Sequence, residues 1–332
     1  MIKEDRLPQV DKHKVVVLTI TYNHSHYIEE TLKGFAMQKT DFPFLCCVFD
    51  DASTDGEQDV LKKWIDNHCN ANEIEVYDHP LTTILKAPDK INTNCIYVIH
   101  LQKVNTWGKP EKVELLKFWR NKGEYIAFCE GDDYWIESLK LQRQVNILDT
   151  NSNLSSCWTG YISRREGCHD KDMTIYTTDS EMSIFTLEDW KTCWFTKTLT
   201  SLIRSDACKE YLIKETYFKH VRDIHQYYYI LKWGDAAYIH SPSAIYNIHE
   251  GGICSMVSQA DNVLHSYNCY KELYLIERDE FLRFCLLSAI NGRLKYRKKN
   301  QNSIALLKEG MALSKTWFEK LRLISKYCFY ML

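Results

Sequence analysis

The sequence lacks the short motifs that mark the commonest phosphate sites and metal frameworks. Its 12 glycines in 332 residues form neither the G-x-G-x-x-G fingerprint of dinucleotide-binding proteins nor the G-x-x-x-x-G-K-[ST] loop of P-loop enzymes. The 13 cysteines include no C-x-x-C pair, and most have apolar neighbours. We therefore expect buried free thiols in a reducing compartment, rather than a disulfide or zinc framework.

Long apolar runs are also absent. The first 14 residues, MIKEDRLPQVDKHK, are polar and lack the apolar centre of a signal peptide. No uninterrupted apolar run is long enough to cross a bilayer. Because 45% of the residues are hydrophobic, the chain can still bury a large core. These features predict a globular, cytoplasmic protein.

Charge is nearly balanced overall but unevenly distributed. The formal net charge of −2 provides no global field that would attract nucleic acid, so we expect no nucleic-acid partner. Residues 291–332 nevertheless carry ten Lys or Arg against two Glu, a net charge of +8, which leaves −10 on the preceding residues. This basic segment needs an explanation of its own.

Short apolar runs alternate with amphipathic segments over the first 150 residues. The runs predict strands at 15–20, 44–49, 74–77 and 125–129, and apolar spacing predicts helices at 25–38, 57–68, 111–121 and 138–149. Residues 78–110 have little pattern and are expected to hold loops. The alternation predicts an α/β fold with a mostly parallel sheet flanked by helices.

Beyond residue 150 the pattern changes. Short strand-like runs at 201–203, 237–239 and 244–246 are mixed with helical segments, and from about residue 260 the pattern is helical throughout. We therefore predict a C-terminal helical extension at residues 256–332.

Polar clusters follow three of the predicted strands. They are Thr21-Tyr-Asn23, the segment Asp50–Asp55, and Glu130–Asp133 within EGDDYW. Ligands of open α/β sheets bind beyond the carboxyl ends of the strands, so these clusters should converge on one crevice.

The acidic clusters each allow two interpretations. Asp132 and Asp133 could bind a divalent cation, which turns the repulsion between the carboxylates into attraction, or they could form a solvated turn that caps the next helix. Asp51 could accept hydrogen bonds from a base or ribose, whereas its neighbours could form an Asx-turn with Ser53 or Asp55 as the helix cap. The residues alone leave both pairs of interpretations open.

Three segments together resemble glycosyltransferase family 2, a group of enzymes with the GT-A fold. They are Thr21-Tyr-Asn-His24, Asp50-Asp-Ala-Ser-Thr-Asp-Gly56, and Tyr125-Ile-Ala-Phe-Cys-Glu-Gly-Asp-Asp-Tyr-Trp135 leading into Leu139-Lys-Leu-Gln142. The resemblance covers about residues 14–255. It implies a nucleotide-sugar-binding half at 14–150 and an acceptor half at 151–255, within a GT-A domain at 1–255. The implied activity is inverting transfer of a sugar from a nucleotide-sugar.

The resemblance also implies roles for the residues at the strand ends. Thr21, Tyr22 and Asn23 would line the nucleotide pocket, with the first two residues at the base. Asp51 would contact a uracil-type base or the ribose. Glu130 stands where the family often has the first Asp of its DxD motif, and it would face the ribose.

The metal and diphosphate would be held by the following residues. Asp132 would bind the Mn²⁺ or Mg²⁺ ion that bridges the diphosphate, and Asp133 would lie beside the donor. The segment Tyr246-Asn-Ile-His-Glu-Gly-Gly252 resembles the family's Tyr-Arg-x-His-x-Gly-Gly, so His249 would contact the metal or the diphosphate. Asn247 replaces an Arg that is common there, which removes one phosphate partner.

Inverting transfer needs a general base that takes the proton of the acceptor hydroxyl. The resemblance places this base on an Asp ahead of an aromatic helix, and Asp223 in His220-Val-Arg-Asp-Ile-His-Gln-Tyr-Tyr-Tyr229 fits. Alternatively, Asp223 stabilises the helix dipole.

The basic C-terminal segment also has two interpretations. Its Lys and Arg residues alternate with large apolar residues, so it could rest on anionic lipid, which suits a lipid-linked acceptor. It could equally be a set of helices packed on the core with a solvated basic face.

We therefore predict a metal-dependent, membrane-associated glycosyltransferase of bacterial surface-polysaccharide synthesis, at the inner face of the membrane. Its donor would be a UDP-type nucleotide-sugar, and its acceptor a glycan or a lipid-linked saccharide. Two alternatives are a sugar nucleotidyltransferase and a catalytically inactive nucleotide-sugar-binding module.

Overall fold

The structure, a computed structural model, describes residues 7–175, 180–252, 257–296 and 301–331. The chain divides into two compact units. The first comprises Met1–Leu187, Trp194–Leu212 and Tyr229–His249, and the second comprises Glu188–Cys193, Ile213–Tyr228 and Glu250–Leu332.

A single twelve-stranded sheet forms the centre of the first unit. Its strands are β1 (His13–Thr21), β2 (Phe44–Asp50), β3 (Glu75–His79), β4 (Thr82–Pro88), β5 (Cys95–Gln102), β6 (Gly123–Phe128), β7 (Tyr134–Trp135), β8 (Leu154–Arg165), β9 (Lys171–Asp172), β10 (Met182–Phe185), β11 (Leu202–Arg204) and β12 (Asp235–Ile248). The main path runs β10-β12-β8-β11-β6-β1-β2-β5-β4-β3. The central strands β6, β1, β2 and β5 are parallel, as the alternating pattern predicts, and antiparallel pairs lie on both sides of them.

Helices cover both faces of this parallel centre because its strands are apolar on both sides. In the described residues up to 233, the α-helices are α1 (Ile28–Ala36), α2 (Glu57–His68), α3 (Pro110–Arg120), α4 (Lys140–Thr150), α5 (Lys209–Lys214) and α6 (Asp223–Trp233). Val15 and Val17 face the core that contains α1, α2 and α4. Val16 and Leu18 face the core that contains α3. The predicted α/β fold class is confirmed.

Residues 78–110, predicted to hold loops, contain two strands of the sheet, so that prediction is wrong. β5 pairs with β2 in the parallel centre, and β4 pairs with β5. β5 contains the apolar run 95–99, which is a strand signal in the sequence, whereas β4 mixes polar and apolar residues. The predicted strands at 237–239 and 244–246 are parts of one strand, β12, which pairs with the unpredicted β8.

His100 is a buried histidine without a hydrogen-bond partner for either ring nitrogen among the described residues. Its ring stacks on Phe49 at 4.7 Å and meets Trp119 edge-on. Burial lowers the pKa of His100 to about 3, because the charged form loses its hydration. The folded state therefore binds fewer protons than the unfolded chain, whose histidine pKa is about 6.5.

His100→Phe is expected to stabilise the fold by about 1–2 kcal/mol at pH 7, since it removes unsatisfied polar atoms from an aromatic site. The gain should grow as the pH falls below about 6.5, because the wild type loses up to about 1.4 kcal/mol per pH unit there. Urea unfolding at pH 7 and pH 5 measures both effects. An equal gain at the two pH values would contradict a neutral buried His100.

The described part of the second unit includes four long helices, α7 (Gln259–Glu277), α8 (Glu280–Lys295), α9 (Gln301–Leu313) and α10 (Trp317–Met331). The side chains of Leu286, Ile290, Leu306 and Leu323 belong to its apolar core. Asp279 caps α8 through its carboxylate, which accepts a hydrogen bond from the N–H of Leu282. None of the helices in the described ranges is both long and apolar enough to span a bilayer.

Candidate functional site

The carboxyl ends of β1, β2 and β6 lie side by side, because these strands are neighbours in the parallel sheet. The chain passes from β1 to β2 on one side and reaches β6 on the other, so the strand order reverses here. The backbone hydrogen bonds of the sheet continue into the loops that follow these strands. The N–H of Asp51 donates to Thr21 O at 3.0 Å, and the N–H of Gly131 donates to Ile20 O at 3.1 Å. This is the position where open α/β sheets bind ligands.

Gly131 explains the spacing of the acidic turn. A Cβ atom at this position would overlap the hydroxyl of Thr21, so only glycine lets the turn lie this close to the end of β1. The hydroxyl of Thr31 then fixes the turn by donating to Gly131 O at 3.1 Å and to Asp133 O at 2.7 Å. The carboxylates that follow are therefore positioned by packing against β1 and α1.

Two histidines and one carboxylate meet at this edge of the sheet. The Nε2 atom of His249 lies 3.0 Å from Asp132 Oδ2, and the Nε2 atom of His24 lies 3.8 Å from the same oxygen. One ligand atom from each residue falls within 4.8 Å of the others. We call His24, Asp132 and His249 the HDH cluster.

Neighbouring residues fix the positions of the three members of the HDH cluster. The Nδ1 atom of His24 lies 3.2 Å from Thr21 Oγ1, which leaves its Nε2 atom directed at Asp132. The ring of His249 packs against the ring of Tyr27, with 4.7 Å between the ring centres and a tilt of 32°. The side-chain amide of Asn247 donates to the backbone oxygen of Asp132 at 2.6 Å.

The cluster fits a divalent cation in both spacing and chemistry. Ligand atoms bound to an ion at about 2.1 Å lie about 3.0 Å apart when adjacent and about 4.2 Å apart when opposite, and the observed spacings fall in this range. Burial lowers the pKa of His24, although Asp132 opposes this shift, and a neutral imidazole is the form that binds metals. Two imidazoles beside a carboxylate suit Mn²⁺ or a later transition metal better than Mg²⁺.

Two further carboxyl groups, those of Asp133 and Glu57, are buried near the cluster in contact with its neighbours. Burial raises the pKa of Asp133 well above its ordinary value, and the charges of Asp132 and Glu130 raise it further. Asp133 accepts a hydrogen bond from the N–H of Asn247 at 2.9 Å, so it joins the acidic turn to β12. Burial also raises the pKa of Glu57 to about 7, although hydrogen bonds from Thr21, His24 and Ser53 stabilise its charged form and oppose this shift.

Glu57 links the two loops that follow β1 and β2. Its carboxylate accepts hydrogen bonds from the hydroxyl of Thr21, from the N–H of His24 at 2.8 Å and from the hydroxyl of Ser53 at 2.9 Å. Because the group is buried, these bonds hold the start of α1 and the start of α2 together. The position of His24 in the HDH cluster depends on this arrangement.

Asp51 forms a buried ion pair with Lys112 at 2.9 Å. Its other oxygen accepts hydrogen bonds from the N–H and the hydroxyl of Thr106, at 2.7 and 2.6 Å. Burial favours the protonated form, but the bonds from Lys112 and Thr106 outweigh it and lower the pKa of Asp51. The exposed indole of Trp107 follows directly, with the Lys112 ammonium 5.1 Å from the ring centre.

The other predicted site residues are placed as follows. Thr21 is buried, Tyr22 is 45% exposed, and Asn23 accepts a hydrogen bond from the N–H of Thr54. Glu130 is half-buried in the acidic turn. Asp223 is exposed at the first residue of α6, in the second unit. Their donor and base roles stay predictions.

The turn after β2 contains the predicted Asx-turn, but the predicted helix cap is wrong. The N–H of Ser53 donates to Asp50 Oδ1 at 3.2 Å, as in an Asx-turn. The helix cap is neither Ser53 nor Asp55 but Gly56, at φ 92°, while Asp55 accepts hydrogen bonds from the N–H groups of Ser25 and Glu57.

Sequence reasoning did not identify His24, Glu57 and Lys112. His24 lies inside the first matched segment, and its histidine identity was the available signal. Glu57 could not be distinguished in the sequence from an ordinary acidic residue in the first turn of a helix. Lys112 carries no local signal, because its contact with Asp51 is formed only when α3 packs beside the end of β2.

Comparisons with known proteins agree with this architecture. Residues 16–81 match the model of the family "Glycosyl transferase family 2". An uncharacterized protein of Mycobacterium tuberculosis, Rv1520, is 32% identical over 142 residues, which is 43% of this chain and 33% of the relative. The putative teichuronic acid biosynthesis glycosyltransferase TuaG of Bacillus subtilis is 26% identical over 169 residues, covering 51% of this chain and 55% of the relative.

These matches span only about a third to half of the length of the relatives. Among solved structures, the crystal structure of S. aureus TarS 1-349 in complex with UDP is similar in fold, with a TM-score of 0.55 and 15% identity over 95% of this chain and 89% of that chain. The family match, the relatives and the shared fold agree with the motifs at the strand ends. Residues 16–81 are therefore similar to glycosyltransferase family 2, and the chain has a GT-A-type fold.

Proposed function

We propose that this protein transfers a sugar from a nucleotide-sugar to a hydroxyl group, with inversion at the anomeric carbon and with the help of a divalent cation. The observation that carries the proposal is the HDH cluster, which lies at the carboxyl edge of the sheet beside the family motifs. His24, Asp132 and His249 would hold the cation. When bound, it would offset the negative charge that develops on the departing diphosphate.

The donor would lie over the ends of β1, β2 and β6. Thr21, Tyr22 and Asn23 would line the nucleotide pocket, and Asp51 would meet the base or ribose. The carboxylate of Asp51 is already held by Lys112 and Thr106, which supports a fixed position for it before the donor arrives. UDP is the first nucleotide to test, because the TarS structure of similar fold contains UDP.

Glu130 and Asp133 complete the donor site in this proposal. Glu130 would face the ribose from the acidic turn. Asp133 would act by holding that turn against β12 through the N–H of Asn247. Glu130 departs from the Asp that the family often has at this position, and its side chain is longer by one methylene group.

The acceptor proton would pass to Asp223 as the acceptor oxygen attacks the anomeric carbon. The bond from that carbon to the diphosphate breaks in the same step, so the configuration inverts. The similarity to TuaG, named for teichuronic acid biosynthesis, supports an acceptor from bacterial surface polysaccharide synthesis. We place the reaction at the cytoplasmic face of the membrane, on a glycan or a lipid-linked saccharide.

A panel of nucleotide-sugars tests the proposal. Each donor is incubated with the protein and Mn²⁺, or with EDTA, and release of the nucleoside diphosphate is measured. Slow hydrolysis of one donor that stops with EDTA is expected, because donors bound in transferases also react with water. Formation of a nucleoside triphosphate from donor and pyrophosphate would instead indicate a nucleotidyltransferase. Binding without turnover, even with acceptor extracts, would indicate an inactive module.

A further inference from the structure

Helix α10 (Trp317–Met331) exposes an unusual number of large apolar side chains. Leu323 is its only fully buried residue within 317–330, the part whose side chains the structure describes. Its exposed large apolar residues are Trp317 at 73%, Phe318 at 76%, Leu321 at 41%, Ile324 at 41% and Phe329 at 79%. We call these five residues the α10 face. Contiguous apolar surface of this kind marks a binding surface more often than a plain solvent-facing helix.

The α10 face lies on one side of the helix. At about 100° per residue, its five members fall within an arc of about 140°. Leu323, which packs into the core of the second unit, lies nearly opposite the centre of that arc. The exposed Ser325 and Cys328 also fall within the arc. The helix is therefore anchored by one side while it presents a largely apolar surface on the other.

Positive charge flanks the α10 face on both sides. Lys320 precedes the arc by about 40°, and Arg322 follows it by about 20°. Both are exposed, and neither forms an ion pair with any residue that the structure describes. Burial lowers the pKa of Lys326 in the next turn, and the charges of Arg322 and Lys295 lower it further.

The one acidic residue of α10 is turned away from this surface. Glu319 accepts hydrogen bonds from the N–H groups of Lys315 and Thr316, and its own N–H donates to Thr316 Oγ1, which is a capping box. It also pairs with Arg283 at 2.8 Å. The field around the α10 face is therefore positive.

We propose that the α10 face binds the surface of an anionic lipid bilayer. The aromatic side chains would enter the boundary between headgroups and acyl chains, and Lys320 and Arg322 would meet lipid phosphates, as in other interfacial helices. A second copy of the chain fits less well, because a symmetric contact through this face brings Lys320 and Arg322 of both copies together. Bilayer binding through the α10 face does not depend on the proposed sugar transfer. If the protein transfers no sugar, this proposal is unaffected.

Vesicle flotation tests the proposal with the full chain. We expect binding to phosphatidylcholine vesicles that contain about 30% phosphatidylglycerol, weaker binding to phosphatidylcholine alone, and loss of binding at high salt. Lys320→Gln with Arg322→Gln should weaken binding about 30-fold. Phe318→Ser with Phe329→Ser should weaken it at least about tenfold. Because all four side chains are exposed, the variants should keep the wild-type thermal unfolding curve.

Matched substitutions in the first unit serve as controls. Ile91 and Val76 are exposed apolar residues at 85% and 61%, and Lys62 and Lys63 are exposed on α2. Their Ser or Gln variants should bind vesicles like the wild type. Absence of binding, or binding that the α10 variants leave intact, would overturn the proposal. So would a lipid-free dimer that the Phe318→Ser and Phe329→Ser variant converts to a monomer, because the face would then be a self-association surface.

Discussion

Replacing Asp132 with Asn is expected to lower kcat/KM for sugar transfer by about 10³-fold or more. A metal ion supplies several kcal/mol of charge stabilisation in such displacements, and about 1.4 kcal/mol corresponds to a factor of ten. Asp132 is the carboxylate of the HDH cluster, with both histidines directed at its Oδ2 atom. The amide keeps the size of the side chain but loses the charge. Transfer assays and calorimetric titration of UDP with and without Mn²⁺ measure the change.

Substitutions of the two histidines distinguish a metal-binding role of the HDH cluster from a purely structural role. His24→Gln and His249→Gln should each weaken Mn²⁺ binding, and excess Mn²⁺ should restore part of the activity. Asp59→Asn, on an exposed residue of α2, serves as the control and should match the wild type. If Asp132→Asn retains the wild-type rate and the wild-type response to Mn²⁺, the HDH cluster is not the metal site.

Asp223→Asn is expected to lower the turnover number by about 10²- to 10⁴-fold, the range for loss of a general base. Nucleotide affinity should stay within about twofold of the wild type, because the proposed role concerns only the acceptor proton. Single-turnover transfer and UDP titration on the same preparation measure the two quantities. Asp66→Asn, at an exposed position of α2, is the control for loss of a surface carboxylate.

The outcome for Asp223 is informative in either direction. A parallel fall in nucleotide affinity and turnover would place Asp223 at the donor instead of the acceptor. Unchanged turnover would leave its carboxylate with the role of an acidic group in the first turn of α6, where it already accepts a hydrogen bond from the N–H of Ile224 and favours the helix dipole.

The parallel centre of the sheet is predictable from the sequence because its strands are apolar on both faces. β1, β2 and β6 appear as short runs of apolar residues, and α2 is predicted at its observed bounds, Glu57–His68. β8 is harder to predict because it buries polar residues: Ser155, Ser156 and Thr159 are all inaccessible. Such strands are recognised through their partners in the sheet and not through their own pattern.

The candidate site is only partly predictable for a related reason. The positions of Asp132 and His249 follow from motifs, and the structure brings them within 3.0 Å of each other. His24 joins them because Glu57 and Thr21 fix the start of α1, which is a tertiary arrangement. Lys112 reaches Asp51 from a different helix. Contacts between loops distant in the chain leave no periodic signal in the sequence.

The most direct test of the metal site is anomalous diffraction from a crystal grown with Mn²⁺ and UDP. We expect a manganese peak within bonding distance of Asp132 Oδ2, His249 Nε2 and His24 Nε2, with the diphosphate on the open side of the ion. A nucleotide bound at the ends of β1 and β2 with manganese elsewhere, or with no manganese peak, would contradict this expectation.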